Sequence, residues 1–234
     1  DNASDTQKVR IAVAPYAAGL NLGGFADDIS ANRSKDGCVT ERADRRTGDD
    51  VAIFAVAQDG VRDTDPTEGN VGNNAYGCPS AKLIPLSDDR DSLIQEVNKF
   101  NANGWTAGHI GTQWAWNLIS DKWNWGSGAN AESYDLVSQN KLMKAVVLMT
   151  DGTFNTAYNG KKSSDQAIAL CDAMKAKGVV IFAVAFDATP AAEATLKSCA
   201  TDGPGYYANA STGDQLESAF NNFAAKLTEL RITK

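Results

Sequence analysis

Two uninterrupted apolar runs, Ala145–Met149 (AVVLM) and Val179–Phe186 (VVIFAVAF), constrain this chain more than any other feature. A strand with one wet face alternates apolar and polar residues. A run with no polar residue predicts a strand covered on both faces, the condition of a parallel sheet. Amphipathic helices with their own start and stop signals stand around these runs. Ser163-x-x-Gln166 is a capping-box pattern, and the helix it opens ends at Lys177-Gly178. Thr189-Pro190 supplies a cap and a first-turn proline for a short helix. Tyr206–Ala208 predicts a short strand. Thr212-x-x-Gln215 caps a last helix whose stripe is Leu216, Phe220, Phe223, Leu227 and Leu230. Upstream, Val9–Ala14 (VRIAVA) reads as another buried strand, ending at Pro15. Ser87 caps a helix with Asp88, Asp89 and Asp91 at its positive end, with Leu93, Ile94, Val97 and Phe100 on one face, stopped by Asn103-Gly104. A further helix over Ala107–Ile119 carries Ile110, Trp114 and Leu118. Apolar strands alternating with such helices predict an α/β fold, a mainly parallel central sheet with helices on both faces.

The 234 residues suit one elaborated domain spanning 1–234. Ile29–Pro79 interrupts the pattern: it is rich in Asp, Arg, Gly and Asn, with one apolar island at Val51–Ala57. It reads as an irregular insertion at about 29–79 with one edge strand, stapled by Cys38 and Cys78. The four cysteines form no C-x-x-C pair, which argues against a zinc ribbon or a thioredoxin motif. The pairing that respects local organisation is Cys38 with Cys78 and Cys171 with Cys199. Two bridges imply an oxidising compartment, periplasmic or at the cell surface. A formal charge of −7 with no basic run argues against a nucleic-acid partner and against anionic lipid. No apolar run approaches the ~20 residues of a membrane span, and no signal-peptide pattern opens the chain.

In an open parallel sheet, ligands bind beyond the carboxyl ends of the strands. Thr150-Asp151-Gly152 follows the first apolar run, so Asp151 is placed to hold a hard cation directly or through water. Thr106, in Gly104-Trp105-Thr106-Ala107-Gly108, stands just before a helix and brings a hydroxyl toward the same crevice. The plain alternatives are an Asp-Gly turn and an N-cap.

These two segments resemble two of the three segments of the metal-ion-dependent adhesion site of von Willebrand factor A (vWA) domains. Several strings resemble the C-terminal vWA domain of TadG-like proteins of the tight-adherence (Tad/Flp) pilus machinery: VRIAVAPY, GCVTERAD, GWTAGHIGTQWAWNLIS, KAVVLMTDGTFNTAY, and the stretch from ALCDAMKAKGVVIFAVAF through LKSCA. The resemblance covers nearly the whole chain. It implies a Rossmann-like vWA fold, no catalysis, and a role in assembling or anchoring a surface appendage through a protein partner. It makes Thr106 a ligand of Mg2+ or Ca2+ and Asp151 an acidic residue acting through a metal-bound water. The family's first segment, D-x-S/T-x-S/T, is not found; Asp1-Asn2-Ala3-Ser4-Asp5 has the wrong spacing and no strand before it. The family's first strand lies mid-sheet, between the strands assigned to Val9–Ala14 and Ala145–Met149. Without it, two inner edges and two apolar faces stand bare, which predicts an unstable chain. Residues upstream of Asp1 or another chain must supply it, the first being the expectation, and any membrane attachment would come through an anchor in those residues.

All five tryptophans fall between residues 105 and 125. Trp114 reads as core by its helical spacing. Trp123 and Trp125 stand in a Gly/Asn/Ser-rich stretch, where they either pack the loop down or, with Trp105 and His109, offer a partner-binding surface. His109, the only histidine, reads as an exposed helical residue. A Ser-His-Asp hydrolase is the enzyme alternative, through the likeness of G-W-T-A-G to a nucleophile elbow. It fails on context: no apolar strand runs into the motif, and His109 is too close to be the usual base. Asn2, Asn32 and Asn209 fit N-x-S sequons. The function expected is therefore a non-catalytic, metal-dependent binding module; a metal-free scaffold and a carbohydrate-binding adhesin using the tryptophan loop are the rivals.

Overall fold

The structure is a computed structural model that describes residues 9–26, 37–40, 78–101, 104–157 and 161–232. Its centre is a parallel sheet of β5 (Ala145–Thr150), β6 (Val180–Phe186) and β7 (Tyr207–Ala210), in the order β5-β6-β7. Both long apolar runs become neighbouring strands, with Val147 opposite Phe182 and Met149 opposite Val184. Two antiparallel pairs complete the described strands. β1 (Ile11–Val13) pairs with β4 (Ile84–Ser87), and β2 (Leu20–Asn21) pairs with β3 (Cys38–Val39).

Among the described residues six α-helices connect and cover these strands: α1 (Arg90–Val97), α2 (Gly108–Leu118), α3 (Tyr134–Ser138), α4 (Ser163–Ala176), α5 (Pro190–Cys199) and α6 (Gly213–Ile232). One face of the sheet, carrying Val146, Leu148, Ile181, Ala183 and Ala185, packs against Trp116 of α2, Leu170 and Met174 of α4 and Leu196 of α5. The opposite face, carrying Phe182 and Val184, packs against Ala219 and Phe223 of α6. Helices thus lie on both faces of a parallel sheet.

The local signals succeed where nothing competes for their side chains. Thr189 accepts from the Ala192 N–H at 3.3 Å with Pro190 behind it, as its sequence predicts. The Ser163 box does not form: Lys162 is the N-cap residue, Ser163 is the first helical residue, and its hydroxyl is engaged by His109. Helix α1 is capped by Asp89, which accepts from Ser92; Ser87 supports it one step earlier, accepting from the Asp89 N–H. Leu93 alone of the predicted α1 stripe is buried, while Ile94 and Val97 are exposed.

Two strand expectations need correction. Val9–Ala14 is not a buried strand: β1 is three residues long, and Val9 and Ile11 are 62% and 53% exposed. β5 is covered along one face, and on the other only Ala145 is packed while Val147 and Met149 are exposed. Both disulfides form as paired above, Cys38–Cys78 and Cys171–Cys199, with Cα atoms 5.9 and 5.0 Å apart. The second ties α4 to α5 inside the core. The Val51–Ala57 island and the sequons at Asn2 and Asn32 lie outside the described residues; Asn209 is exposed on β7. Among the described residues no helix is long and apolar enough to cross a membrane.

Candidate functional site

β5 ends at Thr150, and the chain turns away through Asp151-Gly152. Thr150 closes that turn locally: its Oγ1 accepts from the Gly152 N–H at 3.2 Å and donates to the Gly152 carbonyl at 3.1 Å. Asp151 is left exposed at the rim. Thr106 lies directly against this turn. A Cβ built on Gly152 would stand 3.1 Å from Thr106 Oγ1, closer than a side-chain carbon ordinarily comes. Glycine at 152 is therefore what admits the threonine hydroxyl.

Asn155 holds the two loops in register. Its Oδ1 accepts from the Thr106 N–H at 2.9 Å, while the Thr106 carbonyl accepts from the main-chain N–H groups of Asn155 and Thr156 at 3.0 and 3.2 Å. The Thr156 hydroxyl donates to the same Oδ1 at 2.9 Å. On the other side, the Ala107 N–H donates to the Ala17 carbonyl at 2.8 Å, tying the Thr106 loop to the segment after β1. Sequence reading had singled out neither Asn155 nor Tyr16. The Tyr16 hydroxyl donates to the Met149 carbonyl at 3.0 Å, and its ring occupies the space a side chain would need at Gly111 of α2. Burial pushes the Tyr16 phenol up to about 12; the Thr150 hydroxyl opposes this and the nearby Asp151 charge adds to it. Only the glycine-flanked spacing of G-H-I-G hints at a ring packed on α2.

Thr106 and Asp151 thus share one rim, at the carboxyl edge of the sheet. Their oxygens are of the type that Mg2+ and Ca2+ prefer. Two such donors fall well short of the roughly six that these ions take, so the residues present suit a hard cation in kind and not in number. Among the described residues, no group of three or more His, Cys, Asp or Glu side chains is placed to hold a metal.

The aromatic and histidine expectations divide. Trp105, one residue before Thr106, is 57% exposed. Trp123 and Trp125 are not exposed: they are 5% and 2% accessible, stack on each other at 5.7 Å, and meet Trp114 edge-on. The Trp125 indole N–H donates to the Asn117 carbonyl, and Arg10 clamps the carbonyls of Gly128 and Asn130 behind the loop. An aromatic in a Gly/Asn/Ser-rich loop is here the anchor that holds the loop down. His109 is also not a surface residue. It is fully buried between α2 and α4, its Nδ1 2.7 Å from Ser163 Oγ. Burial removes His109, Trp123 and Trp125 from any contact surface and leaves Trp105.

No known protein family and no curated protein matches this chain.

Proposed function

We propose that this chain is the larger part of an extracytoplasmic vWA-type domain that binds a protein partner through a divalent cation and catalyses no reaction. The observation that carries the reading is the seat of the Thr106 hydroxyl on the Asp151-Gly152 turn, at the carboxyl edge of a parallel sheet. In the family this chain resembles, these two segments and D-x-S/T-x-S/T together form a cation site. Thr106 Oγ1 would ligate Mg2+ or Ca2+ directly and Asp151 through water; the remaining hydroxyls and carboxylate would come from the third segment, which this chain does not contain. The bound cation supplies positive charge for a partner carboxylate. Asn155 keeps the two loops together, Thr150 closes the Asp151-Gly152 turn, and Tyr16 holds the strand end beneath them. Trp105 adds an exposed apolar contact beside the site.

Two disulfides fit a periplasmic or surface location, and the resemblance points to a pilus-assembly or attachment system. The carbohydrate reading needed Trp123 and Trp125 at the surface, so their burial counts against it. The metal-free scaffold is what remains if no cation binds.

Mg2+ or Ca2+ titrated into the polypeptide carrying the residues upstream of Asp1 should raise its thermal stability. The gain should reach about 2.7 kcal/mol at a hundred times Kd, and Asp151→Ala and Thr106→Val should abolish it. An unchanged melting temperature in the wild type, or an equal rise in Asp151→Ala, would leave the scaffold reading.

A further inference from the structure

The loop that carries Asp151 is polar on both sides of one aromatic residue. Within 151–157 only Phe154 is buried, and its ring enters the main core with Trp116 of α2 and Ala167 and Leu170 of α4. Asp151, three residues earlier, stands exposed at the rim, and Asn155, the next residue, is exposed again. Phe154 is thus the loop's anchor in the core.

Opposite this ring, α2 offers no side chain. A Cβ built on Gly108 would stand 2.2 Å from the Phe154 ring, so any larger residue there would drive the ring outward. Three residues on, Gly111 gives the same room to Tyr16, whose ring would come within 2.3 Å of a Cβ. Two rings therefore grip the first turn of α2, one from the loop after β5 and one from the segment after β1. Tyr16 is also hydrogen-bonded to the end of β5 through the Met149 carbonyl. A flat ring against bare helix backbone fixes a distance, because a close-packed interior has no slack to absorb a shift.

The distance so fixed belongs to the candidate site. Thr106 lies two residues before Gly108, and Asp151 lies three before Phe154. The depth at which the ring rests on α2 sets how far apart those two positions stand. The hydrogen bonds that join the loops at the rim link Thr106 with Asn155 and Thr156, the residues directly after Phe154. Bonds this exposed open readily, and the buried ring beside them keeps the two segments in register. Binding groups need packed neighbours that hold them to within about half an ångström.

We propose that Phe154 is the positioning residue of the Thr106 and Asp151 site: its ring, seated on Gly108, sets the spacing of the two oxygen donors. That these donors hold a cation rests on the function proposed above; the seating of the ring does not.

Phe154→Leu, in the polypeptide carrying the residues upstream of Asp1, tests this in two arms with Phe223→Leu as comparator. Phe223 is also buried, but on the far face of the sheet. In a chelator, the Asn155 and Thr156 amides that donate to the Thr106 carbonyl should exchange about tenfold faster in Phe154→Leu, with the β6 amides little changed. With Mg2+ or Ca2+, calorimetry should show Kd raised by about ten- to a hundredfold. Phe223→Leu should lower the melting temperature and leave both readouts at the wild-type value. Gly108→Ala should reproduce Phe154→Leu, since it displaces the same ring. Wild-type exchange at Asn155 and Thr156 in Phe154→Leu, loss of protection spread evenly over β6, or the same change in Phe223→Leu overturns the proposal. So does a wild-type Kd in a variant whose two amides are freed. A wild type that takes up no cation, with those amides still freed in Phe154→Leu, sinks the proposed function and leaves the ring's role standing.

Discussion

β5 and β6 are neighbours with almost the same composition, and the structure treats them differently. In β6, Ile181, Phe182, Ala183, Val184 and Ala185 are all fully inaccessible, with a strand on each side and helices on both faces. In β5 Val147 and Met149 are open to solvent, and its outer edge has no described partner. An uninterrupted apolar run states how much cover a strand needs. It does not state which part of the polypeptide provides that cover. The contrast locates the candidate site as well, because Thr106 and Asp151 stand on the rim where cover is incomplete.

The largest expected effect lies in the covered half. Phe182 packs its ring against Phe223 at 4.7 Å and Tyr206 at 5.4 Å, so Phe182→Ala should cost about 3–5 kcal/mol in urea denaturation. A loss below 1 kcal/mol would mean that α6 does not seal this face. Next is the Cys171–Cys199 bridge, which closes a loop of 28 residues between α4 and α5. Replacing both cysteines by alanine should lower stability by about 3 kcal/mol, read by the same melts, with the fold retained.

At the boundary between the halves, Tyr16→Phe removes the hydrogen bond to Met149 and should cost about 1 kcal/mol at neutral pH. The Tyr16 phenol is raised from 10.0 to about 12, so the folded state holds this proton after the unfolded chain has lost it. Its contribution is complete below about pH 10 and is lost as pH rises toward 12. Denaturation between pH 8 and 12 should show a shallower alkaline decline in Tyr16→Phe; an identical slope would mean that the phenol does not ionise as its burial implies. The smallest effect belongs to the bare half. Val147→Ala should change the stability of the 234-residue chain by less than ~0.5 kcal/mol, and a cost like that of Phe182→Ala would show that β5 is already covered.

Much of the architecture could be read from local pattern. The parallel strands, α2, α5 and α6, and the separation of the cysteines into two local pairs all follow from periodicity, caps and spacing. Position before a helix and the resemblance both pointed Thr106 toward the crevice of Asp151, and in the structure its hydroxyl lies against Gly152. The supports were not legible. Asn155 reaches a residue 49 positions away and Tyr16 one 133 positions away, and a polar or aromatic residue carries no mark of such a distant partner. Ser163 misled for the same reason, since a serine before a helix suits a cap equally well when a buried imidazole takes its hydroxyl.

By itself the sequence determined the alternation of strand and helix, because backbone periodicity and helix-end chemistry act over a few residues and hold wherever the segment is placed. Only the tertiary structure decided exposure: that His109, Trp123 and Trp125 are buried, that Trp105 stays out, and that Val147 and Met149 of β5 stay open. Exposure depends on which distant segments arrive to cover a face. A residue's own neighbours in the chain do not encode that arrival.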